Sequence, residues 1–296
     1  MNLRAVFIGN VKFSAAALLK LIGMGITIEG IITKEKSTFN SDFYDLSSIA
    51  NNYNIVYKYV NYINNNDTVR WLKYLKPDII FCVGFSQIIK KEIIDIPPIG
   101  VVGYHPSALP ANRGRHPLIW SLVLGLDETA STFFFMDEGA DSGDILSQCP
   151  IEISEKDTAT TLYQRMTKTA LTQIGEFVPA LASGNYQRIP QDHSKASYWR
   201  KRGKKDGQID WRMSAKSIHN LVRGLTNPYV GAHFELEGNT IKVWETSVIE
   251  NNEKNIEPGK ILETDENGGT VVKTGENAIR LIKTEPVLDI TQGSYL

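Results

Sequence analysis

Over the first hundred residues, short β-branched runs alternate with helix-compatible segments, and that alternation leaves few folds open. The runs 3–8, 26–33, 55–60, 79–84 and 100–104 are rich in β-branched and apolar residues, the pattern of buried strands. Between them lie 13–23, with Ser14 placed to cap, and 67–75. Strand and helix in strict succession build an α/β domain with a mainly parallel, Rossmann-like sheet.

Further along, PLIWSLVLG within 115–125 reads as a buried helix, and 130–136 and 145–153 as strands joined by the acidic loop DEGADSGD. A long helix is expected over 158–182, capped by Asp157 or Thr158. The segment 184–208 is polar and ends in the basic cluster YWRKRGKKDGQ, the texture of a solvated linker. Beyond it the spacing predicts a helix at 214–223, then strands at 232–237, 240–249, 259–264, 269–274 and 278–283, with turns at Gly238-Asn239 and 266–269. Five short strands so spaced suggest a small antiparallel, OB-like barrel. The expected layout is a Rossmann-like domain over 1–187, a linker over 188–208 and an OB-like domain over 209–296.

Charge narrows the function classes. Against 33 Asp+Glu stand 32 Lys+Arg, a formal charge of -1 over 296 residues, so no general basic field attracts a polyanion and nucleic acid is a secondary expectation. Two cysteines, Cys82 and Cys149, sit in apolar runs and read as buried hydrophobes. They exclude a disulfide scaffold and a cysteine-based zinc site, and they fit a reducing compartment. Gly9-Asn10 breaks the first apolar run too early for a signal-peptide core, and no run approaches a membrane span. A cytoplasmic protein with no membrane partner and no metal is expected.

Two segments carry chemistry. His105 follows a strand directly and opens HPSALP, and in open α/β sheets ligands bind beyond the carboxyl ends of strands. The loop 137–144 ends another strand with three aspartates and two glycines, without the ligand spacing of a calcium loop. GxSxG, HExxH and GxxxxGK[ST] are absent, which disfavours a serine hydrolase, a zinc enzyme and a P-loop kinase.

The stretch HPSALPANRGRHPLIWSLVLG, followed by TFFFMDEGADSGDIL, resembles the central signature of the folate-dependent formyltransferases. LVRGLTNPYVGAHFELEGNTIKVWETSVIE and PGKILETD resemble that family's small C-terminal domain, so the resemblance covers essentially the whole chain. It implies transfer of a formyl group from 10-formyltetrahydrofolate to an amine. His105 would move the proton from the attacking amine to the departing folate nitrogen, and Asp141 would pair with it and stabilise its protonated form. Gln87, Ile88, Ile89, Ser107, Leu109, Arg115, Asp137, Glu138, Gly139, Ala140 and Asp141 match positions that hold the folate. One departure matters: the family's asparagine two residues before the histidine, which steadies the oxyanion, is Gly103 here. Losing one such donor typically costs about 2.7–4 kcal/mol of transition-state stabilisation. A water, Asn112 or the Tyr104 hydroxyl is expected to substitute, and Gly103→Asn is expected to be tolerated or faster.

The acceptor is expected to be the amine of a nucleotide-linked amino sugar, met by Asn10, Lys12, Ser14 and Tyr104. The tRNA members of the family use a basic loop after the second strand, whereas TKEKSTFNSDFYDLSSIA has few positive residues and three acidic ones. Methionyl-tRNA is the alternative acceptor, supported by the basic cluster at 200–205. A folate- or nucleotide-sugar-binding relative without turnover is the alternative outside the enzyme class, and a homodimer is compatible with either.

Overall fold

The computed structural model describes residues 3–37, 41–265 and 269–296. The first part of the chain runs β1 (Arg4–Ile8), α1 (Lys12–Gly23), β2 (Thr27–Thr33), α2 (Ser47–Asn52), β3 (Tyr57–Tyr59), α3 (Asn66–Leu75), β4 (Ile79–Cys82), α4 (Lys91–Ile94) and β5 (Gly100–His105). Then come β6 (Arg113–Gly114), α5 (Pro117–Val123), β7 (Glu128–Phe135), β8 (Ile145–Glu152), α6 (Ala159–Ser183) and β9 (Tyr198–Trp199). Seven strands form one sheet in the order β3-β2-β1-β4-β5-β7-β8. The pairs β1–β2, β1–β4, β2–β3 and β4–β5 are parallel, and β5–β7 is antiparallel.

This order has a reversal. From β1 the chain steps outward through β2 to β3, then returns to place β4 on the other side of β1. The connections leaving β1 and β4 therefore diverge, and the carboxyl ends of these strands border a crevice. Val6, Ile8, Ile80, Cys82 and Val101 pack on one sheet face with Leu72 and Leu75 of α3 and Ile93 of α4. Because side chains alternate along a strand, Gly103 and His105 share the Val101 face and Tyr104 takes the other. Cys82 is buried, whereas Cys149, expected to be buried, is partly exposed because β8 is an edge strand.

Local capping differs from expectation at α1. The helix starts at Lys12 with Val11 at the cap position, and Ser14 is its third residue, not the cap. The Ser14 hydroxyl accepts from the Val11 N–H (3.2 Å) and donates to the Val83 carbonyl (2.6 Å), joining the ends of β1 and β4. At α6, Thr158 and Thr161 bond each other's N–H reciprocally, a capping box in which Thr158 is the cap.

Two compact units result: one comprises the chain up to Pro117 with Thr129–Ile151 and Gln164–Trp199, the other Leu118–Glu128, Glu152–Tyr163 and Arg200–Leu296. The second holds α7 (Ala215–Leu225), capped by Ser214, and β10 (Ala232–Leu236), β11 (Asn239–Ile249), β12 (Ile261–Thr264), β13 (Thr270–Lys273) and β14 (Ala278–Glu285). These strands form a five-stranded sheet, β10-β11-β14-β13-β12, with neighbouring strands antiparallel. The turn expected at 266–269 lies outside the described residues except for Gly269. The small antiparallel five-stranded domain expected from the spacing is thus present, and among the described residues no ladder joins β10 to β12. Each edge strand also meets chain outside the sheet. Ile209 N–H donates to the His233 carbonyl at the β10 edge, and Ile261 N–H to the Ser294 carbonyl at the β12 edge.

Candidate active site

β5 delivers His105 to the carboxyl edge of the sheet, where it is only 5% exposed. Its Nε2 lies 2.8 Å from the main-chain carbonyl of Asn112, an atom that only accepts, so Nε2 carries a proton. Nδ1 faces Asp141, with Oδ2 at 3.5 Å. That separation is long for a hydrogen bond but suits an ion pair when Nδ1 also gains a proton. His105 and Asp141 are thus brought together, as the sequence reading expected of them.

Asp141 has φ +53°, the left-handed region that non-glycine residues seldom adopt. Its Oδ2 accepts from the Gly114 N–H at 2.9 Å, and its main-chain carbonyl accepts from Gln191 Nε2 at 2.9 Å. Earlier in the same loop Asp137 Oδ1 accepts from the Gly139 N–H and from the Ser142 hydroxyl, a local turn that aims the following residues.

Gly103 shares the His105 face, and the space beside it is filled. A Cβ there would stand 3.1 Å from Phe134 and Met136 side-chain atoms, and Phe134 is buried. Gly103→Asn, expected from sequence to be tolerated or faster, meets side chains that must give way. It is expected to lower stability by about 1–3 kcal/mol through overpacking, read as a lower urea midpoint at unchanged m. A midpoint equal to the parent's would mean that Phe134 yields freely. Tyr104 is on the opposite face, packed between Phe13 (4.6 Å between centroids) and Phe133 (4.9 Å), and its hydroxyl accepts from Ser131. Burial pushes its hydroxyl pKa well up. Tyr104 is thus turned away from the His105 face, where an oxyanion donor would stand. Beneath the site the Cys82 thiol is pushed up to about 12 by burial and is no nucleophile at neutral pH.

A cleft of about 260 Å³ is lined by Ile88, Ile89, Lys90, Lys91, Glu92 and Glu138. It gathers three residues expected to hold folate. The Gln87 side chain is spent internally, accepting from the Ile63 N–H and donating to the Asn61 carbonyl. Ser107 and Leu109 are buried; the Ser107 hydroxyl donates to the Ala111 carbonyl and the Leu109 carbonyl accepts from Gln148. Both shape the wall and expose no side chain to a ligand. Arg115 reaches across to the Ser86 carbonyl at 3.0 Å.

The first loop is similarly committed. Lys12 is exposed, but its N–H donates to the Asp42 carbonyl, and Ser14 is bonded as above. Asn10 differs: it is 1% exposed and its Oδ1 has no hydrogen-bond partner among the described residues. A buried acceptor left unmatched costs free energy, and a ligand donor would relieve it.

Sequence reasoning missed Arg113 and Gln191. Arg113 is the largest fully buried side chain, and Gln191 lies in the segment read as a solvated linker. No local signal marked them, because Arg113 stands among the polar residues Asn112, Arg115 and His116 and its partners are too distant in sequence to be guessed. In the basic cluster Arg202 is buried, whereas Arg200, Lys201, Lys204 and Lys205 are exposed. Arg200 and Arg202 sit over the Trp120 ring at 5.3 and 4.5 Å, and Trp120 Nε1 donates to the Arg200 carbonyl. Arg200 grips Asp206 with two nitrogens, holding that carboxyl well below the usual range, and Lys204 pairs with Glu235.

With this geometry stand the family matches. Residues 3–176 match the model described as formyl transferase, and 201–289 that of the formyl transferase C-terminal domain. The chain belongs to the formyl transferase family. As a member it is a formyl-transferring enzyme. Methionyl-tRNA formyltransferase of Acetivibrio thermocellus is 30% identical over 302 residues, covering 99% of this formyl transferase and 96% of the relative. WlaRD, a sugar 3N-formyl transferase solved in the presence of dTDP and 5-N-formyl-THF, is 20% identical with a TM-score of 0.69, covering 96% and 99% of the two chains. HypX from Aquifex aeolicus, solved with tetrahydrofolic acid, is 16% identical with a TM-score of 0.69; the match covers 96% of this chain and 44% of HypX. At those identities the two solved structures speak for the fold. Among the described residues of this formyl transferase, no group of three or more His, Cys, Asp or Glu is placed to hold a metal ion, and no helix is long and apolar enough to cross a membrane.

Proposed function

We propose that this formyl transferase carries the formyl group of 10-formyltetrahydrofolate to the amine of methionyl-tRNA. The near-full-length likeness to methionyl-tRNA formyltransferases carries the choice of acceptor, and it displaces the nucleotide-linked amino sugar as the leading candidate. The acceptor nitrogen attacks the formyl carbon, a C–N bond forms, and the bond from that carbon to the folate nitrogen breaks. The proton lost by the amine travels through His105 Nδ1 to the departing nitrogen, and Asp141 offsets the charge while His105 holds it. The folate lies along the cleft of Ile88, Ile89 and Glu138, against the loop 137–141. Asn112, whose carbonyl touches His105, supplies the amide beside the developing oxyanion in place of the family's asparagine.

One observation favours the sugar as a second reading. Arg200, Arg202 and Lys204, the residues that best supported a tRNA contact, are engaged with Trp120, Asp206 and Glu235. The first part of the loop after β2, and Asn10 with its unmatched acceptor, would then meet the smaller substrate. Residues 38–40 of that loop lie outside the described residues.

The deciding experiment offers methionyl-tRNA and a panel of dTDP-, UDP- and GDP-linked amino sugars beside 10-formyltetrahydrofolate and follows released tetrahydrofolate. Turnover with methionyl-tRNA is expected. Turnover with one sugar alone would replace the acceptor, and folate binding without turnover on any acceptor would reject the catalytic reading.

A further inference from the structure

Arg113 is 1% exposed, and among the described residues no carboxylate pairs with it. A buried cation is tolerated only when every N–H it carries is answered. Here Nε and Nη2 donate to Gln191 Oε1 at 3.2 and 2.7 Å, Nη1 to the Tyr198 hydroxyl at 2.9 Å, and Nη2 also to His193 Nδ1 at 3.2 Å. The guanidinium therefore fixes which way the Gln191 amide faces, because only its oxygen can accept. Its nitrogen is then turned the other way, donating to the main-chain carbonyls of Asp141 (2.9 Å) and Gly143 (2.6 Å). The neighbouring Gly114 N–H holds the Asp141 carboxylate itself. One short segment, 113–114, thus grips Asp141 twice: directly at the side chain, and through Gln191 at the backbone.

We infer that Gln191, oriented by Arg113, is a positioning residue that holds Asp141 in its left-handed conformation and so sets the Asp141 carboxylate against His105. Gln191 touches neither His105 nor any reacting atom in this account, so its effect passes through Asp141. The inference deepens the proposed reaction and rests on it for its kinetic consequences, though not for its structural one.

The test uses the full chain, with Gln191→Ala and Gln191→Glu each made in the parent and in the Asp141→Asn background. Hydrogen exchange is read over 137–144 and over β1 and β4, and kcat, KM for 10-formyltetrahydrofolate and the pH profile are read with whichever acceptor the panel selects. Expected are faster exchange in 137–144 with β1 and β4 unchanged, a kcat lower by about 10- to 100-fold in the parent, and a shifted pH profile. In the Asp141→Asn background the further loss in kcat is expected to be small, since residues acting as one unit are not additive. A merely structural glutamine would lower the active fraction without moving the pH profile and would cost the same in both backgrounds, and that result overturns the inference. Unchanged exchange in 137–144 also overturns it, whatever the kinetics. If instead the loop loosens while Asp141→Asn turns over like the parent, the positioning stands and the role given to Asp141 in the reaction fails.

Discussion

Replacing His105 with alanine is expected to lower kcat by about 10²- to 10⁴-fold, the usual contribution of a positioned proton-transfer group, while the protein stays folded. The fold should survive because His105 joins β7 through its main chain, in register with Thr132, and the strand needs no imidazole to pair. Removal leaves the Asn112 carbonyl and the Asp141 carboxylate facing a small gap, and Asp141 keeps its bond from Gly114. Asp141→Asn is expected to fall by a comparable factor, because its amide oxygen still accepts from Gly114 but no longer answers a charge on His105. Single-turnover rates beside circular-dichroism melts check both. Parent-like turnover in His105→Ala would move the chemistry elsewhere in the crevice, whereas loss of the cooperative melt would make the residue structural.

Gly114→Ala is expected to be strongly disruptive. The residue has φ +105°, where side chains are strained, and its Cβ would stand 2.4 Å from the Trp199 main-chain oxygen. That oxygen accepts from the Arg115 N–H at 3.0 Å, so the clash cannot be relieved by turning a side chain; β6 and β9 must separate. Backbone strain and lost pairing together should cost about 2–4 kcal/mol. Separation also removes the N–H that holds Asp141, so turnover should fall along with the urea midpoint. A variant with the parent's midpoint and kcat would show that the β6–β9 contact is not made in solution.

The central strands were legible because burial on both faces forces apolar runs, and β1, β4 and β5 fall within a few residues of those runs. His105 and the loop 137–144 were legible for another reason: a polar group at the end of a buried strand has little structural cause to be there. Ser14 misled because a hydroxyl near a helix start reads as a cap, yet the same atom here joins two strand ends. Tyr104 misled because the sequence lists neighbours in order, whereas a strand sends them to opposite faces. The basic cluster is mostly exposed, as charge runs usually are, but only the fold brings Trp120 and Asp206 to Arg200.

By itself, the sequence determined the class of the sheet, the two candidate site segments and the family, since these depend on local pattern and on residue identity. The tertiary structure alone decided which groups remain free to act. Hydrogen bonds spend Gln87, Ser107 and Ser14 on the scaffold and join Arg113, Gln191 and Asp141, and packing fills the space at Gly103 with Phe134. No local pattern encodes such partnerships, because each depends on where the folded backbone places its donors and acceptors.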